Sequence, residues 1–327
     1  MLYLHGLGHF HPEIVIDNKF LEDLDIGTTQ EWIVERVGIK ERRTVLPLDY
    51  LRETKNRDPR ETDRVRIYSD AEMGARAARM AMERAGIKPE DIGLIIAGSS
   101  LPQYISPPQA SILACELGVE VLGFDMHSSC STFGVHLNFL NRMDPEKLPP
   151  YVLVVSMEAP TLSVDFSDRS AAVLFGDGAS AAVVSTRIPS DKIVIDYGAD
   201  SRPSHWQKVF VPRWSFFEQD GHAVQGYAIR KTTEGLKKVL EHAPPEAKRH
   251  LFIGHQANLG VLRTACERVG VPEENHWYNV TWFGNTGSAG APSVLSQRWD
   301  ELKSGDYVAM CIVGAGLTWA QLAIQIV

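Results

Sequence analysis

The sequence predicts an α/β protein made of two duplicated halves. Three kinds of segment recur in one order: an amphipathic helix with a turn and a buried strand, a strand with a small-residue turn and a helix, and a β-branched strand. Each second copy lies about 155 residues after the first. Strands that alternate with helices favour mainly parallel sheets covered by helices. The paired segments are 70–100 with 226–256, 124–140 with 278–295, and 151–160 with 307–316.

The first pair is predicted to contain two amphipathic helices. Met73, Ala77 and Ala81 lie at helical spacing in the first copy, as do Leu236 and Leu240 in the second. The third pair, YVLVVSMEAP and YVAMCIVGAG, contains many β-branched residues and predicts buried strands. We therefore expect one βαβαβ-type half to be a diverged copy of the other, with a functional site at the seam between them.

The boundary between the halves is predicted near residues 165–190. There the segment 167–185 predicts two short strands joined by a Gly-Asp-Gly turn at 176–178. We assign residues 1–170 to the first half and residues 171–327 to the second.

The composition limits the classes of function. There are 33 Lys and Arg residues against 41 Asp and Glu, a net charge of −8, so no overall positive field favours nucleic acid or an anionic membrane. The 4 cysteines form no CxxC pair, which predicts reduced thiols and no zinc site. The N-terminal segment lacks the features of a signal peptide, and no apolar run is long enough to span a membrane. A cytoplasmic protein is therefore expected.

Cys130 is the candidate nucleophile. It lies in HSSCSTFG, after a strand-like segment and before a predicted helix. Backbone N–H groups and the positive end of a helix dipole favour a thiolate at such a position. From the local sequence alone, a buried small apolar residue is the more common interpretation, so the assignment needs support from partner residues.

His255 and Asn285 are the candidate partners of Cys130. His255 follows the apolar strand HLFIG, and the carboxyl ends of strands in open α/β sheets collect ligand-binding groups. Asn285 begins a glycine- and serine-rich turn after a predicted strand, where the backbone can approach a ligand closely. A satisfied polar residue at a strand end and a helix N-cap are the alternatives. The repeat predicts that all three side chains converge at the seam.

Several spaced motifs together resemble one family. HSSC before a helix, GHQAN, FGNTGSAG and VGAGLTWA, in that order, are similar to motifs of the β-ketoacyl-acyl-carrier-protein synthase III family of the thiolase-like fold. The segment TTQEWIVERVGIKERR at 28–43 is similar to that family's coenzyme A signature. The resemblance covers nearly the whole chain and implies two halves in a layered α/β/α/β/α architecture.

The resemblance also implies roles for individual residues. Cys130, His255 and Asn285 would form the catalytic set, without a metal. The residues implied outside that set are Thr28, Trp32 and Arg36 at the coenzyme A entrance, Gly221 and Asn258 along the pantetheine passage, and the oxyanion loop of Gly314, Ala315 and Gly316.

The activity implied by the resemblance is acyl transfer from acyl-CoA to Cys130, followed by decarboxylative Claisen condensation with malonyl-acyl carrier protein in fatty acid biosynthesis. Coenzyme A would enter as a substrate thioester, no further cofactor is expected, and the resemblance implies a homodimer. Two alternatives stay open: a related acyltransferase or condensing enzyme of secondary metabolism with another second substrate, and a partner subunit of a heterodimeric synthase.

The sequence departs from the family pattern at several positions. Gly260 stands where the family often has an arginine for carrier-protein docking, and Arg263 is a candidate substitute. Ser131 and Thr132 replace the usual alanine-glycine pair after the nucleophile. These departures leave the acyl chain length and the second substrate open.

Overall fold

The structure is a computed structural model that describes residues 1–327. The strands are β1 Leu2–Phe10, β2 Ile14–Asp17, β3 Glu41–Thr44, β4 Ile92–Gly98, β5 Gly123–Asp125, β6 Tyr151–Glu158, β7 Gly178–Ser185, β8 Lys192–Ser201, β9 Val209–Phe210, β10 Glu218–Gln219, β11 Arg249–Gly254, β12 Asp306–Gly314 and β13 Thr318–Ile326. The α-helices are α1 Asn18–Asp23, α2 Gln30–Val37, α3 Leu48–Thr54, α4 Thr62–Val65, α5 Asp70–Ala85, α6 Gln109–Leu117, α7 Thr132–Asn141, α8 Arg169–Ala172, α9 Gly221–Glu241, α10 Leu259–Val269, α11 Val280–Phe283 and α12 Gly290–Gln297.

Nine strands form one sheet in the order β11-β12-β13-β8-β1-β7-β6-β4-β5. The strands on the two sides of the central β1–β8 pair follow the same pattern of directions. β7 and β13 run antiparallel to both of their neighbours, while β4 pairs with β6, and β11 with β12, in parallel. The two half-sheets join where β1 pairs with β8. The predicted α/β fold with duplicated halves is therefore confirmed. The prediction of mainly parallel sheets is wrong, because five of the eight strand pairings in this sheet are antiparallel.

Both faces of the sheet are buried. Along β6, Leu153 and Val155 belong to one hydrophobic cluster, whereas Val152 and Val154 belong to the other. This alternation follows from the two-residue period of a strand. Helices α5 and α9 contribute residues to the first cluster, and α7 and α12 to the second. Equivalent helices of the two halves thus cover the same face, as the repeat predicts.

Two glycines allow the closest helix–strand contact. A Cβ atom added at Gly6 or Gly8 of β1 would collide with the carbonyl oxygens of Ala81 and Ala77 in α5. The backbone of α5, one of the predicted amphipathic helices, therefore lies directly against β1.

The predicted hairpin at 167–185 is wrong. The segment forms α8, a loop and then the single strand β7. Asp168 caps α8 by accepting from Ser170 N, and the amide of Asp177 donates to the carbonyl of Arg43 at 2.7 Å. These bonds use the backbone groups that a hairpin ladder would need.

The repeat boundary is best placed after β7. β7 pairs with β1 and β6 of the first half, although it follows residue 170. The division into 1–170 and 171–327 stays a prediction, and we propose that the repeat itself changes over between β7 and β8, at 186–191. Residues 186–190 of this interval lie within the predicted range of 165–190, and residue 191 lies just outside it.

Two further segments differ from expectation. The strand predicted before Asn285 is the short helix α11, because Gln256 Oε1 accepts from the amides of Asn279 and Val280 and starts a helical turn. The stretch 196–220, whose mixed polarity and two prolines predict an irregular surface segment, contains the end of β8 and the small β9–β10 ladder.

Among the helices, none combines the length and the apolar character needed to cross a membrane.

Candidate active site

A cavity of about 720 Å³ is lined by residues of both halves. Cys130, His255 and Asn285 all line it, so the structure brings together the three residues that the sequence singles out. Of the other predicted site residues, Thr28 and Gly316 are not in the lining. Those that line it are Trp32, Arg36, Gly221, Asn258, Gly314 and Ala315.

Cys130 lies in a tight turn, residues 128–131, which we call the nucleophile turn. Ser129 has a positive φ of 47°. The Ser131 hydroxyl donates to the carbonyl of Ser128 at 2.7 Å and lies 2.8 Å from the hydroxyl of Thr318. Helix α7 begins at Thr132, so the predicted position before a helix N-terminus is confirmed. The hydroxyl contacts fix the nucleophile turn against the start of β13.

The prediction of a Cys130 thiolate is wrong. Burial raises the pKa of the Cys130 thiol to about 12, and the negative charge of Glu158 raises it further. A hydrogen bond from the backbone opposes this change and is too weak to reverse it. Desolvation disfavours the charged form of a buried acid, and here it outweighs the helix terminus.

His255 follows β11, as predicted. Its amide donates to the carbonyl of Cys311 at 3.1 Å, which holds the residue at the strand end. The Nδ1 atom is enclosed and has no hydrogen-bond partner, so Nε2 is the ring nitrogen available to a substrate. Burial lowers the pKa of His255 to about 4. The imidazole is therefore neutral near pH 7.

Asn285 is held by its own turn, residues 285–289, which we call the asparagine turn. Its side-chain Oδ1 accepts from the amide of Gly287 at 3.0 Å. Its backbone pairs with the chain beside it, since Asn285 N donates to Leu174 O at 2.8 Å. With Oδ1 occupied, the Nδ2 donor is the part of the amide free to meet a ligand in the cavity.

The end of β12 lies against the nucleophile turn. A Cβ atom added at Gly314 would lie 3.0 Å from the backbone nitrogens of both Cys130 and Ser131. A side chain there would press on two amides near the sulfur. Glycine therefore allows the loop that begins at Gly314 to approach the nucleophile closely.

Comparisons with known proteins agree with this geometry. Residues 124–201 match the family model for 3-oxoacyl-[acyl-carrier-protein] synthase III, and residues 247–326 match the model for its C-terminal part. The β-ketoacyl-[acyl-carrier-protein] synthase III of Sulfurovum sp. is 30% identical over 96% of this chain and 93% of its own length. The enzyme of the same name from Syntrophomonas wolfei is 32% identical over 98% and 96%.

This chain belongs to the β-ketoacyl-[acyl-carrier-protein] synthase III family. A crystal structure of 3-oxoacyl-[acyl-carrier-protein] synthase III from Aquifex aeolicus covers 99% of this chain and 100% of its own, with a TM-score of 0.87 and 28% identity. The thiolase-like fold and the acyl-transferring class of enzyme predicted from the motifs are thereby confirmed.

The residues that the resemblance implies at a coenzyme A entrance lie on or just before α2. Thr29 caps the helix by accepting from Trp32 N at 3.2 Å, and Trp32 and Arg36 are one turn apart on the face that lines the cavity. We call Trp32 and Arg36 the entrance residues. The guanidinium of Arg169, which is not in the lining, lies 4.9 Å from the centre of the Trp32 ring. The hydroxyl of Thr28 is enclosed without a partner and is not in the lining.

Two predicted passage residues also begin helices of the synthase. Gly221 is the first residue of α9. Asn258 caps α10, because its Oδ1 accepts from Gly260 N at 2.8 Å and from Val261 N at 3.3 Å. Arg263, the candidate substitute for a docking arginine, is exposed and lies 3.3 Å from Glu273.

Sequence reasoning missed the apolar part of the cavity lining, which we call the chamber, and it missed Glu158. Glu158 has no local motif beyond the end of an apolar strand. The chamber comes mostly from segments without clear periodicity, so only the cavity itself identifies it. Its apolar lining residues include Leu174, Phe175, Val209, Phe217, Val224 and Leu317.

Proposed function

We propose that this chain is a β-ketoacyl-acyl-carrier-protein synthase III that takes an acyl group from acyl-CoA and condenses it with malonyl-acyl carrier protein. The observation that carries the proposal is the single cavity lined by Cys130, His255 and Asn285, with an apolar chamber beside them and aromatic and cationic groups on α2. The names of the relatives support the same reaction.

In the first half-reaction, the sulfur of Cys130 attacks the thioester carbonyl of acyl-CoA. A new thioester forms on Cys130, the bond to coenzyme A breaks, and the thiol proton leaves on the sulfur of coenzyme A. Because burial keeps the thiol protonated, loss of the proton is coupled to attack. The amide of Cys130 and the loop that begins at Gly314 are proposed to stabilise the tetrahedral oxyanion.

The entrance and the chamber act on the two ends of the donor. Trp32 can stack on the adenine ring, and Arg36 can bind a phosphate with its guanidinium. The acyl chain enters the apolar chamber, where burial of its methylene groups stabilises the complex by about 0.8 kcal/mol each. Coenzyme A is a substrate in this scheme, and the proposed steps use side chains and backbone amides of this chain.

In the second half-reaction, His255 and Asn285 act on the malonyl thioester. Hydrogen bonds from Nε2 of His255 and Nδ2 of Asn285 to its carbonyl oxygen stabilise the enolate that forms as carbon dioxide leaves. The resulting carbanion attacks the acyl thioester on Cys130. A carbon–carbon bond forms, the sulfur of Cys130 departs and recovers a proton, and the β-ketoacyl product stays on its carrier.

We also propose a homodimer located in the cytoplasm. Strand β5 is at the edge of the nine-stranded sheet and pairs only with β4. The exposed apolar side chain of Leu122 directly precedes it in the chain. An open edge beside apolar surface favours pairing with a second copy. Light scattering coupled to gel filtration should give twice the mass of one chain, and a monomer at micromolar concentration would contradict this.

The central experiment separates the half-reactions. Incubation with a panel of acyl-CoAs, followed by intact-mass measurement, should show an acyl adduct, and addition of malonyl-acyl carrier protein should release a β-ketoacyl product. An adduct that is passed on without loss of carbon dioxide would support an acyltransferase instead. Absence of an adduct with every donor would reject the proposed function.

A further inference from the structure

Glu158 joins the two halves of the protein beneath the active site. It is the last residue of β6, and only 1% of its surface is exposed. Ser100 donates to its carboxylate from both the amide and the hydroxyl, each at 3.1 Å. Ser288 donates from its hydroxyl at 2.6 Å and from its amide at 3.3 Å. Ser100 belongs to the first half, and Ser288 belongs to the asparagine turn of the second.

The asparagine turn is wrapped around this carboxylate. A Cβ atom added at Gly287 would lie 2.9 Å from Cδ of Glu158, and Gly287 has a positive φ of 55°. The amide of Gly287 is also the donor that holds Oδ1 of Asn285. The hydrogen bonds to Ser288 therefore fix the same short turn that orients the Asn285 side chain.

Strand β4, which precedes Ser100, contacts the start of α7 next to the nucleophile turn. Its last residue, Gly98, lies against the side chains of Thr132 and His136 at the start of α7. Burial raises the pKa of Glu158 to about 7, and its charge in turn raises the pKa of the Cys130 thiol. The carboxylate is therefore mostly neutral below pH 7 and mostly charged above it.

Other titratable groups near Glu158 have separate partners. In the neighbouring strand β7, Gly178 pairs with Glu158 and follows Asp177. The carboxylate of Asp177 accepts from Val45 N and from Thr161, while the His11 ring contacts the carbonyl of Asp177. The neutral ring of His136 binds the carbonyl of Met126, and burial lowers its pKa to about 4.

We propose that Glu158 is a positioning residue that orients Asn285 through Ser288. This role rests on the proposed function of Asn285 in condensation. Glu158 would thereby present the amide donor of Asn285 for the malonyl half-reaction.

The orienting role is tested with Ser288→Ala, which removes the hydroxyl donor at 2.6 Å and leaves the carboxylate in place. We expect condensation to fall by at least tenfold and acyl loading of Cys130 to stay within about threefold. Equal losses in loading and condensation, or condensation at the wild-type rate, would overturn the orienting role.

Glu158→Gln provides a second variant, because it retains the size of the side chain and removes one acceptor oxygen. We expect the same loss of condensation with loading retained. If Glu158→Gln does not fold, as judged by circular dichroism, Glu158→Asp takes its place, since the shorter side chain draws the carboxylate away from Ser288.

The wild-type enzyme distinguishes this inference from the proposed function. A wild-type enzyme that loads Cys130 and fails to condense would reject the proposed function. A wild-type enzyme that condenses, beside a Ser288→Ala variant that condenses equally well, would reject the inference alone.

Discussion

The two ends of the cavity are built in different ways. At the inner end, Cys130, His255 and Asn285 come from three separate chain segments. Backbone hydrogen bonds hold His255 and Asn285, and the Ser131 hydroxyl fixes the turn that carries Cys130. At the entrance, Trp32 and Arg36 are on one short helix, and Trp32 is only partly buried. The inner end is therefore preorganised, whereas the entrance residues, which we propose as coenzyme A contacts, lie on a surface helix.

This difference predicts a gradient of mutational effects. Preorganised donors in a site that excludes water act most strongly in the transition state, so their loss lowers the rate of the chemical step. A half-exposed stacking residue acts equally on ground state and transition state, so its loss raises KM. The predictions below are ordered by the size of the expected effect.

The largest effect is expected at the nucleophile. Cys130→Ala should abolish the acyl adduct completely, because no other group in the cavity carries a thiol. The exposed Cys115 provides a matched control, since Cys115→Ala should leave loading unchanged. Intact-mass measurement after incubation with acyl-CoA decides the matter, and an adduct that persists in Cys130→Ala would reject the assignment.

The next largest effect is expected on the rate of condensation when His255 or Asn285 is replaced, with a much smaller effect on the rate of loading. His255→Ala and Asn285→Ala should each lower condensation by roughly a hundred- to a thousandfold, because each removes a donor to the enolate oxygen. Loading of Cys130 should fall far less. Single-turnover measurements with acyl-CoA and then with malonyl-acyl carrier protein report both rates. Condensation at the wild-type rate in either variant would contradict the role of that residue.

The pH dependence of the free thiol gives a smaller and continuous effect. Because the pKa of Cys130 is raised to about 12, its alkylation rate should rise by about tenfold for each pH unit between pH 8 and pH 10, without a plateau. The sign follows from the raised pKa, since the reactive thiolate gains population as pH increases. A plateau below pH 9 would show that the helix terminus outweighs burial after all.

The smallest effect is expected at the entrance. Trp32→Ala should raise KM for acyl-CoA by roughly fivefold, the loss of about 1 kcal/mol of aromatic stacking, with little change for an acyl-pantetheine donor. Trp282→Ala is the matched control, because Trp282 is an exposed tryptophan that does not line this cavity. Equal losses with both donors would make Trp32 a packing residue rather than a coenzyme A contact.

The sequence predicts best where strong periodicity ends at a polar residue. Cys130 and His255 each lie directly beside an element whose pattern is unambiguous, so their positions are confirmed. The strand predicted before Asn285 fails because a distant side chain, Gln256, binds the amides of residues 279 and 280 and starts a helical turn. No pattern local to Asn285 contains that contact.

Besides distant contacts, local sequence does not report how deeply a residue is buried in the folded protein. The dipole argument for a Cys130 thiolate uses only neighbours in the chain, while the desolvation that reverses it comes from both halves together. Glu158 illustrates the same limit, since its two serine partners are 58 and 130 residues away. The duplicated architecture could be recognised from spacing, but the carboxylate that joins the two copies could not.

The central position of β1 determines when this chain can complete its sheet during synthesis. During synthesis β1 leaves the ribosome long before β7 and β8, its two neighbours, which end at Ser185 and Ser201. Pairings of such high sequence separation form slowly, and until then the apolar β1 has both edges open. The nascent chain is therefore expected to depend on chaperones until β8 has been made. A fragment that stops at residue 170 would lack both neighbours of β1 and should aggregate rather than fold.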